Sequence, residues 1–125
     1  MEPTFEDFWN AYPHHSTRSK RAMSKAKWDA ITGPGLDTVA KDGEGNSMRL
    51  NLKADPQRIY RAAVAYRLGM SDNDKQYAPG AQVWLNQGRF EDYDDAQLED
   101  AVRRWERIQA ILAKQQPKPQ LRAVS

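Results

Sequence analysis

Apolar residues recur at helical spacing over most of the chain, and they divide it into five segments. In the first segment Phe5, Phe8 and Tyr12 lie three or four residues apart, which places them on one face of a helix. Thr4 can cap this helix and Pro13 ends it. The same pattern predicts helices over residues 4–12, 16–31, 55–69, 81–86 and 94–116.

The second of these helices carries small apolar residues along one side. Small side chains allow a neighbouring helix to approach closely, so we expect this side to be buried. Its members are Ala22, Met23, Ala26 and Ala30.

Residues 32–54 interrupt the helical pattern. They contain two turn-forming clusters, at 33–35 and 42–46, with apolar positions between and after them. This arrangement is compatible equally with a small hairpin and with a mobile loop. The predicted fold is therefore all-α, a compact bundle of four to five helices with an irregular or hairpin-like insertion around 32–54. We expect one helical domain over 1–116 and a disordered tail over 117–125, which contains Pro117 and Pro119.

Composition excludes several classes of protein. The 125 residues include no cysteine, which excludes a disulfide-stapled scaffold, a thiolate zinc site and a cysteine nucleophile. The mean hydropathy is −0.90, and no apolar run approaches the ~20 residues of a membrane helix. Residues 1–12 hold three acids and no base, unlike a signal peptide. These features predict a cytoplasmic protein that does not enter a membrane.

No arrangement of residues predicts catalysis. His14 and His15 are adjacent, but no further ligand stands at metal-binding spacing from them. The acids between 91 and 100 match no calcium-loop pattern, and they suit the N-terminus of the last helix. We expect a protein without enzymatic activity, cofactor or metal.

The charges are sorted along the chain although the net charge is only +2. Residues 14–28 hold five Lys or Arg and no acid, while residues 91–100 hold six acids and no base. On a helix, Arg21, Lys25 and Trp28 fall with Arg18 within an arc of about 80°. The cations can neutralise phosphates and the flat tryptophan ring can stack on a base, and binding of single-stranded DNA requires both interactions.

The basic segment therefore predicts a site for single-stranded DNA. The alternative is a solvated basic face with Trp28 folded into the core. The candidate nucleic-acid-binding residues, two of which lie on the third predicted helix, are Arg18, Lys20, Arg21, Lys25, Lys27, Trp28, Arg58 and Arg61.

Two motifs resemble a known family. They are FWNAYP at 8–13, followed by a basic helix, and YAPGAQVWLNQGRFED at 77–92. Together they resemble the C-terminal domain of bacteriophage and prophage replication proteins of the helicase-loading or primosomal type. The resemblance implies a compact helical domain that contacts single-stranded DNA and a replicative helicase or its loader in the bacterial host cell. Its motif positions are Phe8, Trp9, Tyr12, Trp84, Leu85, Asn86 and Arg89.

Two other functions are compatible with the sequence. The helix at 94–116 has an apolar stripe at 98, 101, 105, 108 and 112, which predicts either cover for the domain's own core or pairing with another helix. Such pairing would make the protein an interaction adaptor or a homo-oligomer. A stand-alone phage inhibitor of a host nucleic-acid enzyme or defence complex is the third possibility, since the acids at 91–100 can mimic phosphates.

Overall fold

A computed structural model describes residues 2–13, 18–41 and 43–115. Within these ranges the chain is mostly helical, with one antiparallel hairpin in the region predicted as an insertion. The predicted disordered tail and the His14–His15 pair lie outside the described residues. The elements are α1 (Phe5–Ala11), α2 (Arg21–Ile31), β1 (Leu36–Lys41), β2 (Ser47–Leu52), α3 (Pro56–Leu68), α4 (Asp72–Lys75), α5 (Ala81–Asn86), a 3₁₀ turn (Arg89–Glu91) and α6 (Asp95–Gln115).

Local chemistry explains where the helices begin. The Thr4 hydroxyl accepts from the Asp7 backbone N–H at 3.3 Å, and the Thr4 N–H donates to the Asp7 carboxylate at 2.8 Å. This reciprocal capping satisfies two N–H groups of a helix of only seven residues. Asp55 caps α3 in a similar way, with Pro56 at the first helical position.

The hairpin pairs Leu36 with Leu52 at its base and Lys41 with Ser47 near its tip. Leu36 and Leu52 are half-buried and pack against the main core, whereas most of β2 is exposed. The hairpin is therefore attached to the helical domain at its base and projects its tip into solvent.

The core is built around a cluster of aromatic rings, and aliphatic residues such as Ile31, Ile59 and Val64 pack with them. Trp84 is completely buried, and its ring lies 6.0 Å from Phe8, 5.5 Å from Tyr12 and 5.9 Å from Tyr66, between ring centroids. Phe90 follows at 6.2 Å. Rings at these separations bury large apolar areas and add favourable edge and offset contacts.

The prediction of which side of α2 is buried is wrong. Ala22, Met23 and Ala26 face solvent, and the buried residues of this helix are Ser24, Trp28 and Ile31. Burial of apolar area explains the difference, because a tryptophan and an isoleucine remove far more apolar surface from water than alanines do. The Ser24 hydroxyl is satisfied inside by the Lys20 carbonyl at 2.8 Å.

The last helix extends beyond the body of the domain. The first half of α6 packs on α3 and buries Leu98 and Ala101, but every residue from 106 to 115 is exposed. The second half of α6 borders a cavity that is also lined by Leu68 at the end of α3 and by Lys75 of α4. Exposed apolar side chains on this half are Ile108, Ile111 and Leu112.

Candidate nucleic-acid interface

The cations of α2 lie on the two edges of its outward surface. Arg21 and Lys25 occupy the edge next to α1, where Arg21 lies over the rings of Phe5 and Trp9, 5.3 Å and 5.4 Å from their centroids. Arg21 pairs with Glu6, and Lys25 pairs with Asp29 at 2.6 Å. An open depression of about 370 Å³ lies here, lined by Phe5, Arg21, Ala22 and Lys25.

Lys20, the residue immediately before α2, and Lys27 lie on the opposite edge, next to α5. Lys27 is half-buried, and its ammonium donates to the Asn86 side-chain oxygen at 3.1 Å. Lys20 is exposed, and its backbone N–H donates to the Gln82 side chain. The uncharged Ala22 and Ala26 lie on the solvent-facing surface between these edges.

Gln82 fixes the start of α2 to α5. Its side-chain oxygen accepts from the Lys20 N–H at 2.9 Å, and its amide donates to the Arg18 carbonyl at 3.0 Å. Gly80 beside it is buried, and a β-carbon there would collide with the Arg18 carbonyl. Gln82 thereby holds Lys20 and Arg18, which precede it by 62 and 64 positions in the sequence. These contacts position the basic helix on the core.

We expect Gln82→Ala to lower the free energy of unfolding by about 1–2 kcal/mol, because two part-buried backbone groups lose their partner. Urea denaturation followed by circular dichroism measures this change. Gln87→Ala, at an exposed glutamine at the end of the same helix, should change stability by less than about 0.5 kcal/mol. Equal stability of the two variants would contradict the anchoring role of Gln82.

Trp28 cannot serve as the predicted base-stacking ring, because it is 5% exposed. Its indole stacks on Phe8 with centroids 5.4 Å apart and contacts Phe5 at 6.1 Å. The part of the alternative interpretation that places Trp28 in the core is confirmed.

Arg18 is not on the predicted helical arc, because α2 begins at Arg21. It is exposed and lies before the helix, where its guanidinium donates to the Ala78 carbonyl at 3.3 Å. Its backbone carbonyl is the one held by Gln82. Arg18 therefore connects the segment before α2 to the segment before α5.

Arg58 and Arg61 lie among acidic residues. Arg58 donates to the Tyr93 carbonyl at 2.7 Å and lies 3.7 Å from the carboxylates of both Glu91 and Asp95. Arg61 lines the same corner, which also includes Asp95. Arg58 thus joins α3 to the start of α6, and both arginines lie in a corner that also contains Asp55 and Asp95.

The residues of the two motifs form one structural unit. Phe8, Tyr12, Trp84 and Leu85 are buried, and the first motif packs directly on the second through the Phe8–Trp84 ring contact. The Tyr12 hydroxyl donates to the Pro79 carbonyl at 2.6 Å. Asn86 accepts from Lys27, as described above, and Arg89 lies over the Tyr66 ring at 5.4 Å.

A second basic surface lies on the other side of Trp9 and was missed at the sequence level. Arg67 from α3 donates to the Asn10 carbonyl at 3.2 Å, and its guanidinium lies 5.1 Å from the Trp105 ring centroid. Lys75 from α4 lines the same groove. The sequence signal available was the position of Arg67 on the side of α3 opposite Arg58 and Arg61.

Three tyrosines have a raised pKa, in each case mainly because burial disfavours the phenolate. They are Tyr12, Tyr60 and Tyr93. Each of these phenols therefore keeps its proton at neutral pH.

Among the residues that the structure describes, no group of three or more His, Asp or Glu side chains is arranged to hold a metal ion. No helix in the described ranges is long and apolar enough to cross a membrane. Comparisons with protein-family models, curated proteins and solved structures found no match to this chain.

Proposed function

We propose that this protein is a non-enzymatic module of phage-type DNA replication, acting in the cytoplasm of the bacterial host cell. It binds single-stranded DNA through the outward cations of α2 and docks a replicative helicase or its loader. The observation that carries the DNA-binding part is the exposure of Lys20, Arg21 and Lys25 around the uncharged Ala22–Ala26 surface.

The acids that pair with these cations do not prevent DNA binding. The Arg21–Glu6 and Lys25–Asp29 pairs have side chains that are 51–58% exposed. Ion pairs this exposed contribute about 0–1 kcal/mol, so phosphates can replace the carboxylates at small cost. With Trp28 buried, affinity at this surface comes from phosphate neutralisation and the release of counterions.

The replication role rests on the resemblance of the two motifs to phage replication proteins. Support comes from the packing of the motifs against one another, since their residues are separated by about 70 positions in sequence and share one aromatic core. The adjoining outward faces of α2 and α5 then offer a surface on which DNA and a partner protein can be held together.

Lys20→Ala/Lys25→Ala should weaken binding of single-stranded DNA about 25-fold at 0.1 M salt, because each lost phosphate contact contributes about 0.7 to the salt slope. Fluorescence anisotropy of a labelled strand, titrated at several salt concentrations, measures both the affinity and a slope reduced by about 1.4. The two lysines lie outside the core, so the fold is retained.

Lys41→Ala/Arg49→Ala removes the same charge from the exposed hairpin and is the matched control. This variant should lose much less affinity than the α2 variant. Equal losses in the two variants would show that only net charge matters, and absence of binding at low salt would overturn the proposal.

A second candidate function is that of a protein-interaction adaptor, favoured by the exposed apolar residues on the second half of α6. Ile111 and Leu112 are 48% and 45% exposed, and apolar side chains on a projecting helix favour pairing with another helix or with a second copy. Sedimentation analysis distinguishes the two functions, since a DNA-independent dimer abolished by Ile111→Asp favours the adaptor.

A further inference from the structure

We infer that the groove between α1, α3 and α6 is a base-stacking subsite, in which unpaired bases stack on Trp9 and Trp105 while Arg67 and Lys75 hold phosphates. This inference rests on the proposed function, because it extends the path of single-stranded DNA beyond α2. It also supplies the aromatic surface that the buried Trp28 does not provide.

The groove consists of two adjoining cavities. The first, of about 280 Å³, is lined by Trp9, Asn10, Tyr12 and Pro13 together with Arg67 and Lys75. The second, of about 260 Å³, lies against Trp105 and the projecting half of α6, and is also lined by Arg67 and Lys75. Because Arg67 and Lys75 line both cavities, the two cavities lie next to one another.

The charge of the groove suits a nucleic acid. Among the described residues that line the two cavities, two are cationic and none is acidic. Trp9 and Trp105 are half-buried, so part of each indole remains accessible. A groove that combines cations with accessible rings and carries no acid attracts phosphates and lets bases stack without sequence preference.

The groove is continuous with the cations of α2. Arg21 lies 5.4 Å from the centroid of Trp9, and Trp9 also lines the first cavity. The surface therefore alternates cation and ring, from Lys25 over Phe5 and Arg21 over Trp9 to Arg67 over Trp105. A strand that lies along α2 can continue past Trp9 into the groove.

Titration with an oligothymidylate of about 20 nucleotides tests the subsite, with anisotropy and intrinsic tryptophan fluorescence recorded together. Stacked bases quench an indole, and Trp28 and Trp84 are buried, so quenching reports Trp9 and Trp105. Trp105→Phe keeps an aromatic ring for packing and should remove a large part of the quenching while weakening binding several-fold. Circular dichroism verifies that this variant is folded.

Lys75→Ala should weaken binding about fivefold at 0.1 M salt, as expected for one phosphate contact. Lys114→Ala removes the same charge from the exposed end of α6, outside the groove, and should leave affinity nearly unchanged. A strand that binds with a normal salt slope, without quenching and with equal affinity for both lysine variants, would overturn the subsite and leave the proposed function standing. Absence of any binding would instead overturn the proposed function.

Discussion

Replacing Trp84 with alanine is expected to lower the free energy of unfolding by about 3–5 kcal/mol. The side chain is completely buried, and it contacts rings from α1, α3 and the 3₁₀ turn, so its removal leaves a cavity bounded by four aromatic residues. Rigid rings on several elements cannot close such a cavity without shifting those elements. A loss of this size is a large part of the stability of a small domain.

Urea denaturation followed by circular dichroism measures the change, and Trp84→Phe is the matched variant. Phenylalanine fills part of the space and removes the indole N–H, which has no hydrogen-bond partner among the described residues. We therefore expect Trp84→Phe to cost clearly less than Trp84→Ala. Similar losses for the two variants would contradict the cavity argument, because they would show that filling part of the space with a smaller ring restores no stability.

Sequence reasoning predicts α1 and the turn within residues 42–46 because local chemistry determines both, whereas it leaves the pairing of the flanking strands open. The capping of α1 involves residues three positions apart, Thr4 and Asp7. The hairpin depends on a glycine-rich turn between two strands, in which Gly45 adopts a positive φ of 87°. Residues that carry a β-carbon rarely adopt this backbone conformation, so the presence of glycine alone indicates the turn.

The orientation of α2 was not predictable from its own residues. Apolar side chains stand on both sides of this helix, with alanines on one side and Trp28 and Ile31 on the other. The choice depends on partners far along the chain, since Phe8 stacks on Trp28 and Gln82 holds the helix start. When a helix has apolar residues on two faces, contacts with distant parts of the chain decide which face is buried. The spacing of its own residues does not reveal those contacts.

The groove was unpredictable for a related reason. Trp9, Arg67 and Trp105 come from three helices and are separated by 38 or more positions, so no spacing pattern connects them. The sequence does identify the basic segment, but which of its members remain at the surface depends on packing. Lys20 and Lys25 are exposed, whereas Trp28 is enclosed by the rings of α1.

Stability should fall steeply in alkaline solution because of Tyr12. Burial, with a smaller contribution from the neighbouring Tyr66, raises its pKa well above the ordinary value of about 10. Above pH 10 the unfolded chain loses the phenolic proton and the folded chain retains it. The unfolded state then binds fewer protons, so the free energy of unfolding falls by about 1.4 kcal/mol per pH unit from this residue alone.

Tyr60 and Tyr93 are shifted in the same direction and add to the loss. Tyr12→Phe isolates the contribution of Tyr12. At pH 7 this variant should be about 1–2 kcal/mol less stable than the wild-type protein, because the Pro79 carbonyl loses its donor. Above pH 10 the difference should shrink, since phenylalanine has no proton to lose, and urea denaturation at a series of pH values follows both proteins.

Tyr77→Phe removes the same hydroxyl from a tyrosine that is 69% exposed, and is the matched control for this series. When the free energy of unfolding is plotted against pH, we expect the wild-type curve to fall towards the Tyr12→Phe curve above pH 10. The Tyr77→Phe curve should stay parallel to that of the wild type. Parallel curves for all three proteins above pH 10 would contradict the shifted pKa of Tyr12. They would also show that the Tyr12 phenol can ionise within the fold, and hence that the junction of the two motifs opens to water far more readily than its packing indicates.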